Sequence, residues 1–403
     1  QPVYLKLAAG SILCMGVVLG TLCFITHDGG TSAVGIPFGA DFAGFYVAAQ
    51  ILDSYPADRL YDRDLHQALY HQLLPRLPGE EALPYVHPPF VAGILRVLSQ
   101  FPYHAAVLLW MAISLGLYIQ GMILILRTTP SLKPYRFLII PLALAFEPFL
   151  FECLLGGQLS AVGFLSFAWC WSFLHQGRHF SAGMALGLCF YKPTLLLLLI
   201  PMLLAGRQWR ILAGMTVTGL GYVLLSILLV GWECTLGYVP VLFRFQQQSH
   251  LSGELVVRLW KYVDIFHFWK LLSGSTSGSA TYFGILLLGA GLILAGTCWW
   301  KSNKQPPGRL WVSTLFLVPV LNLYFGIYDS ILVVQAVMIQ YGFQMRENEG
   351  RFLVSRSDYL PLLLFLTPWF TQPLAQFTGI QVYTLVLIAC SFACYTRWPF
   401  RHR

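Results

Sequence analysis

Residues 104–126, HAAVLLWMAISLGLYIQGMILIL, contain no Lys, Arg, Asp or Glu and are followed at once by Arg127. About 20 such residues in an α-helix cross the hydrocarbon core of a bilayer, so this segment predicts a transmembrane helix. The whole chain shares this character, since 57% of its 403 residues are hydrophobic and only 10% are charged. Soluble domains are roughly 25% charged, and disordered chains are poor in apolar residues. The composition therefore predicts an all-α polytopic membrane protein.

The rest of the chain alternates apolar segments with polar loops, and we expect about twelve membrane spans in one integral membrane domain, residues 1–403. Residues 7–25 lack a convincing small-residue cleavage site, so we interpret them as a retained helix and not as a signal peptide. Segments 180–191 and 193–205 are separated by Lys192 alone and could also form one long helix kinked at the following proline. The expected spans are 7–25, 104–126, 137–151, 159–174, 180–191, 193–205, 211–231, 282–300, 310–323, 327–345, 359–373 and 380–396.

The basic residues decide the predicted orientation of these spans. Residues 89–101 are too few to cross a bilayer and contain Arg96, so we interpret them as a re-entrant or surface helix. With both termini inside, the short cytoplasmic segments then hold 16 of the 25 basic residues, in agreement with the positive-inside rule. The segments expected on the outer face are 27–88, 152–158, Lys192, 232–280 and 324–329.

The first outer loop, residues 27–88, holds eight of the 17 acidic residues. It is too polar to cross a bilayer and too apolar to be a simple linker. Apolar residues recur at helical spacing in 42–52 and 65–74, which predicts amphipathic helices on the membrane surface. The second large outer loop, 232–280, is mixed in charge and ends in a flexible Ser/Gly segment.

Asp41 opens the segment Asp-Phe-Ala-Gly-Phe-Tyr, which ends at Tyr46 in the first outer loop. A carboxylate at the membrane edge beside aromatic residues can have a raised pKa and act as a general base. The alternative is a helix N-cap, because Asp is favoured at that position. Composition alone favours the cap, and the two roles are compatible.

The same loop ends in Tyr85-Val-His87-Pro-Pro. Two prolines after a residue favour an extended chain that enters a helix, so the simplest interpretation is a rigid helix start with an incidental histidine. The functional interpretation places the phenol of Tyr85 and the imidazole of His87 at the outer mouth of a cavity. There they would bind phosphate or sugar hydroxyls.

Five further polar residues lie at or near predicted outer ends of spans. Ionisable groups at membrane depth are costly and are functional candidates by default. Glu147 is the deepest carboxyl, and Gln158 is either a polar anchor or a ligand for sugar hydroxyls. Lys192 requires an anion, such as a lipid-linked phosphate, unless it extends to the interface. Asp329 binds substrate or caps a helix, and Tyr328 fits an aromatic belt equally well.

The sequence lacks the motifs of several other classes of enzyme and transporter. It contains no P-loop, Rossmann fingerprint, zinc-protease motif or nucleophile elbow, which excludes ATP-driven transport and the common hydrolase chemistries. The nine cysteines lie mostly in apolar segments without paired spacing, so neither a zinc site nor a disulfide framework is expected. The net charge of +8 is spread over many loops and does not indicate nucleic-acid binding. We expect no cofactor and no required metal.

Taken in order, these motifs resemble a known family. The sequence is similar to the GT-C type membrane glycosyltransferases, most closely to glycosyltransferase family 87, the polyprenol-phosphate-mannose-dependent mannosyltransferase-like proteins. The resemblance covers about residues 1–345 and is carried by Asp41-Phe-Ala-Gly-Phe-Tyr46, Leu60-Tyr-Asp62, Tyr85-Val-His-Pro-Pro89, Trp110, Gly157-Gln-Leu-Ser160, Gly187-Leu-Cys-Phe-Tyr-Lys-Pro193 and Tyr328-Asp329.

The resemblance implies a GT-C-like fold and an enzyme that transfers a sugar, best attested as mannose, from a polyprenyl-phosphate donor. The acceptor would be a glycan or glycolipid outside the cytoplasmic membrane, and the anomeric centre would be inverted. Asp41 would be the general base, with Lys192 and His87 available for the phosphate. The other residues expected to bind donor or acceptor are Tyr46, Tyr85, Glu147, Gln158, Tyr328 and Asp329.

The sequence departs from the family pattern at two points, and two other functional classes compete with this prediction. His87 stands where family members often carry Tyr, and the first loop lacks the paired acidic motif of metal-using GT-C enzymes. A transporter or flippase of a lipid-linked glycan would be expected to contain paired broken helices in two related halves, whereas the sequence has one break, at Lys192, and no internal repeat. A non-catalytic membrane scaffold is the third possibility. The enzyme is favoured, mainly by the resemblance.

Overall fold

The computed structural model describes residues 10, 13–18, 21, 39–74, 84–248, 258–274, 278–302, 308–347 and 359–396. Most of the expected first span, 7–25, lies outside the described residues. The described part is built from helices and contains no β-strand, only an isolated antiparallel bridge between Tyr262 and Gly326. The predicted all-α class is therefore confirmed.

The α-helices follow the apolar periodicity of the sequence, and shorter 3₁₀ and π segments stand at their breaks. The α-helices are Ala40–Ser54, Arg63–Leu73, Pro89–Ser99, Tyr103–Thr128, Arg136–Leu144, Ser160–His175, His179–Gly187, Leu199–Ala205, Trp209–Val230, Trp232–Gln246, Ile265–Ser273, Gly278–Trp300, Gly308–Val320, Leu332–Glu347, Tyr359–Leu366, Pro368–Thr378 and Val382–Thr396. The 3₁₀ segments are Ala57–Tyr61, Pro130–Tyr135, Leu188–Tyr191, Pro193–Leu196, Leu259–Lys261 and Ile327–Ile331, and Pro148–Leu155 is a π-helix.

Three of the described helices are long and apolar enough to cross a bilayer unaided: Tyr103–Thr128, Trp209–Val230 and Gly278–Trp300. Pro130–Leu144 and Pro148–Leu155 meet the same criterion as a pair, with a bend of 57° between them. Membrane-spanning helices are thus present, while the total of about twelve stays a prediction. Several expected spans are shorter in the structure because prolines and 3₁₀ turns divide them.

The long helices expose large apolar side chains instead of polar ones. Leu228 is 73% exposed on Trp209–Val230, and Leu286 is 68% exposed on Gly278–Trp300. In water such surfaces would drive association, whereas the hydrocarbon core of a bilayer solvates them without cost. The exposed faces therefore mark where lipid surrounds the protein.

Two glycine positions bring Trp209–Val230 into backbone contact with its neighbour, His179–Gly187. A Cβ on Gly183 would lie 1.9 Å from the carbonyl oxygen of Ile211, and a Cβ on Gly214 would lie 2.1 Å from that of Phe180. Small residues at crossings allow close helix packing in membranes, where no hydrophobic driving force acts between helices. These glycines set the distance between the two helices.

The break at Lys192 is a true interruption of the helix. His179–Gly187 passes into the 3₁₀ turn Leu188–Tyr191, and Lys192 itself is non-helical, with φ −141° and ψ 84°. Proline follows Lys192 and disfavours the helical conformation of the residue before it. One continuous kinked helix, the alternative left open by the sequence, is not what the chain forms.

Loops predicted to share a membrane face contact one another. On the predicted outer face, Lys261 lies 3.8 Å from Glu152, and Lys192 pairs with Asp329. Toward the predicted inner face, Ser131 donates a hydrogen bond to the carbonyl oxygen of Gly342, which lies near the inner end of the expected span 327–345. These contacts follow the predicted grouping of the loops.

The first outer loop differs from the expectation in one respect. Helices do form at Ala40–Ser54 and Arg63–Leu73, but Ala40–Ser54 is buried around most of its circumference and is not a surface helix. It packs against Pro89–Ser99. The predicted second outer loop, 232–280, contains the helices Trp232–Gln246 and Ile265–Ser273.

The start of Ala40–Ser54 docks onto the loop at Gly156-Gly157. The backbone N–H of Asp41 donates to the carbonyl oxygen of Gly156 at 3.2 Å, and Trp110 Nε1 donates to that of Gly157 at 3.0 Å. Gly157 has φ +79°, and a Cβ on it would lie 2.6 Å from the Cβ of Phe42. Glycine at 157 therefore permits both the turn and the close approach.

We predict that Gly157→Ala destabilises the protein more than Gly177→Ala. Gly177 also has a positive φ, +73°, but open space surrounds the position of its missing Cβ. Its substitution should cost only the backbone strain, roughly 1–2 kcal/mol, whereas Gly157→Ala adds the clash with Phe42. The measurement is the thermal midpoint of both variants in detergent. Equal losses would contradict the close approach at Gly157.

Candidate active site

Asp41 lies in the first turn of Ala40–Ser54, but it is not the N-cap. Gly39 occupies that position with φ +61°, and no side chain caps the helix. The N-cap interpretation of Asp41 is therefore wrong, because its carboxylate accepts no capping hydrogen bond from this helix. The half-buried side chain remains available for chemistry.

The surroundings of Asp41 favour a carboxylate of unusual basicity. Burial raises its pKa above the ordinary value, and the nearby Glu152 acts in the same direction. The positive charges of Lys261 and, more weakly, Lys192 lower the pKa, as does a side-chain hydrogen bond with Gln158. Burial is the largest of these effects, so the net shift is upward.

Lys192 stands at the helix break and forms a buried ion pair with Asp329. Lys192 is 9% exposed and Asp329 is 2% exposed. Ser160 Oγ donates to Asp329 Oδ1 at 2.7 Å, and Lys192 Nζ lies 3.4 Å from the hydroxyl of Tyr328 and 4.5 Å from the centroid of its ring. The ammonium is thus held by a carboxylate on one side and an aromatic face on another, both of which stabilise a buried cation.

Asp329 does not have the capping role considered from the sequence, while its predicted contact with substrate stays a prediction. It lies within the 3₁₀ turn Ile327–Ile331, where it does not cap a helix, and its carboxylate faces Lys192 and Ser160. Its immediate effect is to neutralise Lys192. A substrate would meet the pair as one unit.

His87 packs beside the same break. Its Nδ1 lies 3.0 Å from the carbonyl oxygen of Tyr191, the residue before Lys192, and its ring meets that of Phe45 at 4.9 Å. Burial and the charge of Lys192 lower the pKa of His87 to about 4. The imidazole is consequently neutral at physiological pH.

Two predicted binding tyrosines have other partners. The hydroxyl of Tyr46 donates to the carbonyl oxygen of Phe101 at 2.8 Å. Tyr85 is buried, with its ring stacked against His66 and its hydroxyl 3.4 Å from the carbonyl oxygen of Pro88. Both residues support the backbone around Ala40–Ser54, and the structure gives neither a contact with the ion pair.

Glu147 also stands apart from the ion pair. It is buried at the break between Arg136–Leu144 and Pro148–Leu155, and its Oε2 has no hydrogen-bond partner among the described residues. A buried carboxyl oxygen without a partner is energetically expensive and unusual. The predicted role of Glu147 in binding donor or acceptor stays a prediction.

Sequence reasoning missed two contributors to the site. Lys261 is the cation with the largest effect on Asp41, and it also lies 3.8 Å from Glu152, which accepts a hydrogen bond from Gln372 at 2.7 Å. Ser160 was part of a matched motif but had no assigned role. Nothing in the spacing links Lys261 to Asp41, since 220 positions separate them in the chain.

The 258–264 segment that carries Lys261 is fixed against the 324–326 segment. Asp264 caps Ile265–Ser273 by accepting from the N–H of His267, and it also accepts from the N–H of Phe325 at 3.0 Å. The hydroxyl of Tyr262 donates to that of Tyr324 at 2.7 Å. These contacts hold Lys261, from the predicted second outer loop, where its charge acts on Asp41. Among the described residues, no group of three His, Cys, Asp or Glu side chains is placed to hold a metal ion.

The structure combines helices that are long and apolar enough to cross a bilayer with a half-buried carboxylate beside polar groups. Comparison with known proteins supplies the class of protein. A family model for glycosyltransferases matches residues 85–321, more than half of the chain. The protein belongs to glycosyltransferase family 87. The match includes His87, Gln158 and Lys192, and it does not extend to Asp41 or Asp329. No curated protein and no solved structure matches the chain.

We predict strong coupling between Lys192 and Asp329 in stability. Lys192→Met or Asp329→Asn alone leaves a buried polar partner uncompensated, and breaking a buried pair costs about 3–5 kcal/mol. The double variant should lose clearly less than the sum of the single losses. Thermal and denaturant midpoints in detergent measure this.

The exposed pair between Arg59 and Asp62 provides the control. Water screens this pair, so Arg59→Gln should cost less than about 1 kcal/mol. If Lys192→Met were as mild as Arg59→Gln, the ion pair would not be buried in the folded protein.

Proposed function

We propose that the protein transfers a sugar, with mannose as the first candidate, from a polyprenyl-phosphate donor to a hydroxyl of a glycan or glycolipid. The observation that carries this proposal is the setting of Asp41. Its carboxylate is not used as a helix cap, and burial raises its pKa beside Gln158 and Lys261. Membership of glycosyltransferase family 87 supplies the reaction class.

In the proposed reaction the acceptor hydroxyl attacks the anomeric carbon while the bond from that carbon to the phosphate oxygen breaks. Asp41 takes the hydroxyl proton, and the polyprenyl phosphate leaves with the bonding electrons. A single base without a covalent intermediate gives inversion at the anomeric carbon. A raised pKa makes Asp41 a better proton acceptor than an ordinary carboxylate, provided that the pH stays above that pKa.

Lys192 is the group proposed to meet the phosphate. A lysine ammonium has three N–H donors. Asp329 accepts from one, and Tyr328 lies within reach of a second. The remaining donor can bind a phosphate oxygen and stabilise the charge that develops as the lipid leaves. Asp329 and Tyr328 hold the ammonium in place before the substrate arrives.

We also propose that the site faces outward from the cell membrane, in a protein of about twelve spans with both termini in the cytoplasm. Asp41, Gln158, Lys192 and Asp329 come from separate segments that the distribution of basic residues assigns to one face. Their convergence supports this topology. A lipid carrier would then reach the site from the bilayer and the acceptor from outside.

We expect Asp41→Asn to reduce sugar transfer by about 10²–10⁴-fold, the usual contribution of a general base. The assay gives purified protein radiolabelled polyprenyl-phosphate-mannose and a membrane extract as acceptor, and follows label into new products. Asp53→Asn is the matched control on the same helix, where Asp53 accepts hydrogen bonds from Arg96, Ser99 and Gln100. Transfer that survives Asp41→Asn in folded protein would overturn the base assignment.

The pH dependence of transfer gives an independent test of the surroundings of Asp41. The base must be ionised, so activity is lost as the pH falls through its raised pKa. Lys261→Met removes the cation that most lowers this pKa, so the pH below which activity is lost should move upward. Lys133→Met, in a loop predicted on the opposite face, should leave this pH unchanged. A shift to lower pH, or no shift, would contradict the electrostatic role of Lys261.

A further inference from the structure

His87 is bound in a way that fixes which of its ring nitrogens carries the proton. Nδ1 lies 3.0 Å from the carbonyl oxygen of Tyr191. A carbonyl oxygen only accepts hydrogen bonds, so Nδ1 must be the donor. In a neutral imidazole the other nitrogen, Nε2, then carries a lone pair and can only accept.

The surroundings of the His87 imidazole favour its neutral form. Lys192 brings its positive charge close to the ring. The imidazole also lies near the aromatic rings of Phe45 and Tyr85, at 4.9 and 5.8 Å between ring centroids. No carboxylate is among the groups that act on it. An imidazolium would therefore meet a like charge with no carboxylate to offset it.

Nε2 of His87 has no hydrogen-bond partner among the described residues, and the residue is partly exposed. The anchor of the ring is the carbonyl of Tyr191, immediately before Lys192. His87 thus stands next to the lysine proposed to hold the phosphate, with an accepting nitrogen still available to a ligand.

A nitrogen that can only accept a hydrogen bond is a poor partner for a phosphate. The donor's phosphodiester presents oxygens that carry no hydrogen, so a lone pair on Nε2 would repel them. A sugar hydroxyl carries a hydrogen and can donate it to Nε2. The sugar of the donor is bonded directly to the phosphate, so its hydroxyls are the groups within reach of a residue beside Lys192.

We propose that His87 recognises the donor sugar and not the phosphate, by accepting a hydrogen bond from one of its hydroxyls at Nε2. This inference rests on the proposed function and names one specificity-determining contact within it. It also gives a reason for histidine at this position: Nδ1 secures the backbone at the helix break while Nε2 reads the ligand.

Two lipids separate the alternatives: polyprenyl-phosphate-mannose and sugar-free polyprenyl phosphate, each titrated in detergent onto the full-length protein. His87→Asn keeps an N–H at the position of Nδ1 and removes the acceptor at the position of Nε2. Its affinity for the mannose-bearing lipid should fall about tenfold, as expected for the loss of one net hydrogen bond. Its affinity for the sugar-free lipid should change less than twofold. An equal loss for both lipids, or no loss for either, would overturn the proposal.

Two further variants keep the test decisive if His87→Asn does not fold. His87→Gln places an amide oxygen near the position of Nε2 and should retain more affinity for the mannose-bearing lipid than His87→Lys. If His87 bound phosphate, His87→Lys would instead preserve or strengthen the binding of both lipids. A ranking with Lys above Gln would therefore refute the hydroxyl contact.

Deoxy analogues of the mannose-bearing lipid identify the hydroxyl. One analogue should lose affinity for the unaltered protein and show no further loss with His87→Asn, while the others lose affinity equally with both proteins. Coupling with none of the analogues would reject the contact. The unaltered protein reports separately on the proposed function, since failure to bind either lipid would reject the donor class itself.

Discussion

A lysine buried between membrane segments must be neutralised, and the pairing of Lys192 with Asp329 meets this requirement. Water is excluded from both side chains, so the pair persists only because additional groups satisfy it: Ser160 donates to the carboxylate, and the ring of Tyr328 lies beside the ammonium. The pair joins the broken segment around Lys192 to the turn at Ile327–Ile331. Because His87 is anchored on Tyr191, the residue before Lys192, the position of its ring is tied to the segment that this ion pair holds.

The second element of the site, Asp41, is positioned by backbone contacts and not by its own side chain. Its N–H and that of Phe42 both donate to the carbonyl oxygen of Gly156, while Gly157 lets the two chains approach closely. The carboxylate is consequently left with Gln158 and with the charges of distant loops. This division of labour suits a general base, since the groups that hold the residue do not consume its acceptor capacity.

The class of fold was predictable from the sequence because apolar length and helical periodicity are local properties. The segment 104–126 illustrates this, since it lies within the observed helix Tyr103–Thr128. The break at Lys192 was also predictable, because a lysine followed by proline has a local conformational consequence. By contrast, the burial of Ala40–Ser54 depends on which other helices surround it, and periodicity alone indicated a surface helix.

The polar residues of the candidate site stand out in the sequence, but which of them pair with one another does not. Asp41, Gln158, Lys192 and Asp329 were singled out because polar residues are rare in such a chain. Asp329 pairs with Lys192 across 137 positions of the chain. No local sequence pattern predicts a contact between residues so far apart in sequence. Tyr46 and Tyr85 were also singled out as binding residues. Their hydroxyls contact backbone carbonyl oxygens, and only the tertiary structure reveals these partners.

The crossing of His179–Gly187 with Trp209–Val230 divides each helix into two kinds of position with different tolerance to change. Where Gly183 and Gly214 face the carbonyls of Ile211 and Phe180, any added carbon atom would push the backbones apart, so residue identity matters there. At exposed positions such as Leu220 and Leu228, only apolar character matters, because fluid lipid has no fixed shape to match. Within one helix, the exposed positions can therefore exchange one aliphatic residue for another, while the glycine positions tolerate no larger residue. The region that supports Lys192 inherits that rigidity from residues that never approach a substrate.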